Sequence, residues 1–262
     1  MKAVICAAGK GSRLAPLTNV APKCLLPVYN QPMIMYPLSA IKQAGITDVC
    51  IVVSPEHAHL FATLLADGSE LGLNISFKIQ KEALGVCDAI ALSEDFVSGD
   101  DFMVMLGDNV MFDDLSDAVS NFKGGANLLL TEVSDPRPFG VAKFENEKLV
   151  QLVEKPQNPP SNMVWIGCAM FDSKFFAYAR DIQLSPRGEY ETNDVIQKYI
   201  EQNNANFTTL EYKWFDAGSH ETLMQASNFV KETSNSLQYE RHQNPLNGIA
   251  SLRSSIKVSE SV

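Results

Sequence analysis

Short apolar runs rich in β-branched residues alternate along the chain with segments whose apolar positions recur every three or four residues. That alternation predicts buried strands of a parallel sheet with helices packed on both faces. "KAVICAA" at 2–8 reads as the first strand and runs straight into a glycine loop. "PMIMYPLSAIKQAG" at 32–45 reads as a helix ended by Gly45, "DVCIVVS" at 48–54 as the next strand, and about 56–66 as a second helix. Runs at 74–79, 101–108 and 127–133 continue the series, with "ALGVCDAIAL" leading from a loop into a helix between the first two. After residue 134 the strands crowd together in "GVAKF", "KLVQLVEK" and "NMVWIGCAMF", which predicts mixed or antiparallel pairing in that half. Helices return at about 192–203 and 219–238. The expected fold is a Rossmann-like three-layer α/β/α unit with a mostly parallel mixed central sheet. It forms a single domain over 1–240, and the Ser-rich, aperiodic stretch 241–262 reads as a loosely held tail.

Composition narrows the partners. Hydrophobic residues make up 45% of the 262, enough for a large core and too many for a disordered chain. A net charge of -10 and a pI near 4.9 argue against nonspecific binding to nucleic acid or an anionic membrane, each of which needs a contiguous basic surface, so positive contacts to an anionic ligand must be local. The apolar run in "MKAVICAAGK" is too short for a signal peptide, and no stretch approaches membrane-spanning length. Five cysteines without a C-x-x-C pair read as buried free thiols of a reducing cytoplasm. His57 and His59, two apart, diverge on a helix, which argues against zinc.

The candidate chemistry begins in "AAGKGSRLAPLTNVAPKCLLPV" at 7–28. A buried strand runs directly into Gly9 and Gly11, at the place where an α/β sheet offers backbone N–H groups to a ligand. A dinucleotide fingerprint would need a third glycine where Leu14 stands, and a P-loop would need Lys-Ser/Thr where Ser12 and Arg13 stand. What remains is a glycine turn with a guanidinium at Arg13 and an ammonium at Lys23, parts that suit a triphosphate. Two carboxylates lie at apolar strand ends or before turns, Asp108 in "MLGDNV" and Asp216 in "KWFDAGSH". Each alone is more often a turn or helix-cap residue.

The whole stretch resembles the signature of the sugar-phosphate nucleotidyltransferase family, G-x-G-[ST]-R-L-x-P-L-T-x-x-x-P-K-x-[LM]-L-P-V. "YNQPMIMYPLSAIKQAGI" at 29–46 is similar to the branch acting on dTTP. By that resemblance Asp108 and Asp216 hold Mg²⁺, and Arg13, Lys23 and Lys155 are the catalytic cations. The resemblance further implies that Ala8, Gly9, Gly11, Ser12 and Asp108 bind the nucleotide, and that Gln80 and Gly85 read the pyrimidine. On the sugar-phosphate side it implies Gly140 of "FGVAKF", Glu154 and Lys155 of "VEKP", Gly167 of "WIGCAMF" and Arg187 of "SPRGEYETNDV". The implied reaction joins a sugar 1-phosphate, glucose 1-phosphate first, to dTTP with release of pyrophosphate, in a homodimer or homotetramer. A UTP-dependent enzyme is the nearest alternative, because one methyl in a pocket discriminates only about 10 to 200-fold. A silent regulatory relative would be expected to have lost Arg13, Lys23 or an acidic metal ligand, and all are present. Cys24 and Asp88 depart from the branch, which commonly has Gln at the first and Gln or His at the second. Ala169 and Met170 replace frequent aromatics.

Overall fold

In chain order the strands are β1 Lys2–Cys6, β2 Pro27–Val28, β3 Gln31–Pro32, β4 Asp48–Val53, β5 Asn74–Ile79, β6 Phe102–Leu106, β7 Asn109–Met111, β8 Ala126–Glu132, β9 Gly140–Glu145, β10 Lys148–Glu154, β11 Met163–Phe171, β12 Ala205–Thr209 and β13 Trp214–Asp216. The helices are α1 Met35–Gln43, α2 Ala58–Leu65, α3 Val86–Ala91, α4 Glu94–Val97, α5 Ser116–Ser120, α6 Lys174–Arg180, α7 Thr192–Glu201 and α8 His220–Ser236. The computed structural model describes residues 1–236; the expected tail at 241–262 and the end of the helix foreseen at 219–238 lie outside them.

One nine-stranded sheet runs β10-β9-β11-β6-β1-β4-β5, with β8 paired to β11 and β12 to β8. Its β6-β1-β4-β5 half is parallel, as the apolar runs predict, whereas β11 is antiparallel to β6, β8 and β9. Alternation along each buried strand separates two cores. Ala3 and Ile5 of β1, Val49 and Ile51 of β4 and Met103 and Met105 of β6 join one core with α1, α2 and α8. Val4, Val52, Phe102 and Val104 face the other, with α3, α6 and α7. That is the three-layer α/β/α arrangement, and each fully buried aliphatic or aromatic side chain contributes roughly 1.5–3 kcal/mol to it.

The site is shaped by a break in β11. Its last residues, Cys168–Phe171, pair with β6, while Val164 and Trp165 pair with β9. Between them the register against β8 shifts, and Trp165 Nε1 donates across the break to the Cys168 carbonyl at 2.9 Å. β6 and β9 therefore diverge along one edge of β11. A crevice opens where they part.

Several short elements were not anticipated. The strand foreseen at 101–108 stops at Leu106, and Gly107 and Asp108 form the turn into β7, which pairs antiparallel with β13. The β2–β3 hairpin, β12, α5 and α6 are also absent from the periodicity reading.

Candidate active site

Gly107 is the local reason that the first loop meets the end of β6. A Cβ there would lie 2.8 Å from Cys24 Sγ and 3.3 Å from the Cys6 carbonyl, so only glycine lets the 23–25 turn pack behind the strand end. That packing brings Lys23 Nζ into an ion pair with Asp108 Oδ2. The β7–β13 ribbon then sets Asp216 opposite Asn109, and Arg13 Nη2 reaches Asp216 Oδ2 at 3.4 Å. Four residues from the first loop, the β6–β7 turn and the end of β13 thus share one spot.

The electrostatics there are uneven. Burial works against the charge of Lys23, but the adjacent Asp108 outweighs it and holds the ammonium above the usual lysine range. Burial likewise pushes Asp108 up, and the Lys23 ammonium outweighs it, leaving that carboxyl below its ordinary value. Asp216 ends above its ordinary value, first through burial and then through the Asp108 charge, against Arg13 and Lys23. Among the described residues no group of three or more His, Cys, Asp or Glu is placed to hold a metal. A pair of carboxylates is nevertheless the donor set that Mg²⁺ uses when substrate phosphates and water complete its shell.

Two cavities meet at the Lys23–Asp108 pair. One, of about 370 Å³, lies over Ala8, Gly9, Gly11 and Ser12 and is walled by Gln80 and Gly85. The other, of about 530 Å³, occupies the β6/β9 fork and is lined by Arg13, Gly140, Glu154, Lys155, Gly167 and Arg187, with Asp216 at its edge. Lys23, Val86, Leu106, Asp108 and Glu189 line both. Every site residue named from the sequence therefore lies along one crevice.

At the far end Glu154 gathers the cations. Its Oε1 pairs with Lys155 Nζ at 3.1 Å and Arg187 Nη2 at 3.2 Å, while Oε2 accepts 2.9 Å from Asn193 Nδ2. Lys155 follows β10 with a left-handed backbone, φ 42°, uncommon for a side chain of its size, and its N–H bonds the Phe139 carbonyl at 2.9 Å. Arg187 is also gripped by both Glu191 oxygens, at 2.9 and 2.7 Å, which holds its guanidinium above the usual range. Lys155 and Arg187 are 50% and 41% exposed, and ion pairs that open to solvent contribute only about 0–1 kcal/mol. Such pairs exchange cheaply for a phosphate.

Sequence reasoning missed Asn109, Asn193, Glu191 and Trp214, all of which line the larger cavity. Asn109 Oδ1 accepts from Trp214 Nε1 at 2.8 Å, and its Nδ2 is buried without a protein partner. Each lies inside a motif already quoted, so the signal was present without a local pattern to mark it.

A glycine loop, paired carboxylates and a cation-lined fork at the carboxyl ends of parallel strands define a nucleotide-handling α/β protein. The chain belongs to the nucleotidyl transferase family, which matches residues 2–233. It is 37% identical over 243 residues to a glucose-1-phosphate thymidylyltransferase of Neisseria meningitidis, covering 90% of this chain and 84% of the relative. An enzyme of the same name from Xanthomonas campestris is 38% identical over 237 residues, 88% of this chain and 80% of that one. A candidate glucose-1-phosphate thymidylyltransferase from Bacillus anthracis, solved with sucrose, superposes with a TM-score of 0.86 at 36% identity, over 94% of this chain and 99% of that one. A UDP-glucose pyrophosphorylase solved with UDP-glucose shares the fold, with a TM-score of 0.81 at 22% identity over 88% of this chain and 98% of that one.

Proposed function

We propose that the protein transfers a thymidylyl group from dTTP to glucose 1-phosphate, giving dTDP-glucose and pyrophosphate. The observation that carries this reading is the junction of the two cavities at Lys23–Asp108, between a glycine loop and the Lys155–Arg187 pair. The triphosphate lies over Ala8, Gly9, Gly11 and Ser12 with its base towards Gln80 and Gly85. The sugar phosphate lies in the fork, its anion held by Lys155 and Arg187 and its hydroxyls by Glu154, beside Gly140 and Gly167.

A phosphate oxygen of the sugar 1-phosphate attacks the α-phosphorus in line and the pyrophosphate leaves. The attacking oxygen is already anionic, so no general base is required. The protein's work is to hold two anions together, which Lys155 and Arg187 do for the nucleophile and Arg13 and Lys23 for the triphosphate. Substrate phosphates replace the carboxylate partners of these cations. Asp108 and Asp216 would hold Mg²⁺, whose chemistry is to neutralise the triphosphate charge.

Five buried free thiols support a reducing, cytoplasmic setting, and no helix among the described residues is long and apolar enough to cross a membrane. A homo-oligomer is part of the proposal. His220, Met224 and Ser227 share one face of α8; His220 Nε2 donates to the Ala15 carbonyl at 3.0 Å, and Ser227 Oγ accepts from Tyr29 N at 3.2 Å. This places exposed Met224 beside a segment that also exposes Leu17, Val20 and Tyr29.

The test is pyrophosphate release from glucose 1-phosphate with each nucleoside triphosphate, against an EDTA blank. Turnover led by dTTP and a loss of about a hundredfold or more in Arg13→Ala are expected. Near-normal turnover of a folded Arg13→Ala would remove that residue from the mechanism, and a UTP lead would reassign the base.

A further inference from the structure

Gln80 sits just beyond β5, its backbone N–H bonded to the Val53 carbonyl at 2.9 Å, and the residue is only 7% exposed. Its Nε2 donates to two acceptors at once, the Gly85 carbonyl at 3.0 Å and Asp88 Oδ2 at 2.8 Å. A primary amide has two N–H donors, and here both are spent inside the protein. Turning the amide over would set Oε1 against a carbonyl and a carboxylate oxygen, which repel it. The orientation is therefore fixed by the neighbours' chemistry. Oε1 is left without a protein partner, on a residue that walls the smaller cavity and the 190 Å³ recess beside it.

We propose that Asp88 sets the base preference of this enzyme by consuming the donors of Gln80 and leaving only a carbonyl oxygen to face the base. This inference rests on the reading of the smaller cavity as the nucleotide site. An acceptor-only wall takes a pyrimidine whose ring N3 carries a hydrogen. Thymine and uracil present that imide N–H; cytosine presents a lone pair at N3, which is repelled, and its 4-amino donor meets the oxygen only if the base shifts by one ring position. Asp88 is thus a positioning residue that acts through Gln80, and its place in the first turn of α3, three residues after Gly85, lets one carboxylate reach back to the amide.

The experiment measures equilibrium binding to the full chain, by competition with labelled dTTP and without sugar phosphate, alongside turnover. Wild type should bind dTTP and UTP at least about a hundredfold more tightly than CTP, the scale of leaving a buried polar group unmatched. N3-methyl-dTTP, which keeps the base but lacks the N–H, should bind as poorly as CTP. Asp88→Leu removes the acceptor and should cut the dTTP-to-CTP preference about tenfold, with the change in KM rather than kcat; Asp88→Asn, which can turn either end of its amide to Gln80, should fall between. A merely structural role for Asp88 would lower both nucleotides together. CTP or N3-methyl-dTTP binding wild type as tightly as dTTP would overturn the proposal without any variant, and so would a wild-type preference in both folded variants. Wild type that binds with the expected preference yet releases no pyrophosphate would instead count against the proposed reaction alone.

Discussion

Asp216 stands opposite Asn109 in the β7–β13 ribbon, and this register sets it beside Asp108, its neighbour in charge though far away in sequence. The two carboxylates have the same proposed partner but opposite effects on stability. Asp108 balances the mostly buried Lys23 ammonium, so Asp108→Asn should leave that charge with only the weaker influence of Asp216, at a cost of about 3 kcal/mol. Its folded-state value lies below the ordinary 3.8, so its stabilisation is complete above that pH and is lost as pH falls through the folded value. Asp216 lies above 3.8, so its ionisation costs stability once the pH has risen through the folded value. Asp216→Asn should therefore raise the ligand-free Tm near pH 7, with the gain closing as pH falls towards 3.8. Calorimetry of both variants across that range checks the signs; a lower Tm for Asp216→Asn at neutral pH would contradict the assignment.

The Asn193–Glu154 hydrogen bond gives a second prediction. Asn193 fixes the carboxylate whose other oxygen holds Lys155 and Arg187. Asn193→Ala should raise the KM for the sugar phosphate about tenfold while leaving that for dTTP near its original value, the expected result of misplacing groups that orient one substrate. Glu154→Gln should disturb Lys155 more than Arg187, because Arg187 keeps both oxygens of Glu191. Steady-state kinetics with each substrate varied separately distinguishes the two sides of the crevice.

Gly85 couples those sides. At φ 99° it occupies a conformation that side chains rarely adopt, and a Cβ there would lie 2.8 Å from the Tyr190 carbonyl. The neighbouring Leu84 carbonyl accepts from Tyr190 N at 2.8 Å, tying the base-side loop to the segment that carries Arg187. Gly85→Ala should cost about 1–3 kcal/mol and, unlike Asn193→Ala, raise both KM values. A rise for one substrate alone would show that the two loops respond independently.

What the sequence disclosed follows the length of each signal. β1, β4 and β6 are continuous apolar runs that periodicity finds directly, and the glycine loop follows the first of them. β7 and β13 are three residues each, too short for any period, so Asp216 could be tied to Asp108 only through resemblance. β12, "ANFTT", is polar and half exposed at the edge of the sheet and reads as loop until its pairing with β8 is seen. The Glu154–Asn193 contact spans 39 residues and depends on how α7 meets β10, which no local pattern encodes.

The cysteines carry the last prediction. Burial pushes Cys24 and Cys87 up to about 12, and Cys6, Cys50 and Cys168 are also raised by burial. The thiolate is the reactive form, so at pH 8 a thiol near 12 presents on the order of one part in ten thousand of it. Cys24 adjoins Lys23 and packs against Gly107, so an adduct there could not fit without moving the Lys23–Asp108 pair. The native protein should therefore keep its activity and take up no label from iodoacetamide at pH 8, while the guanidinium-unfolded chain takes up five equivalents, counted by mass spectrometry. Labelling of Cys24 in the native protein, with activity falling in step, would mean that the 23–25 turn opens from the end of β6. Protection by dTTP would then locate the same opening in the nucleotide cavity.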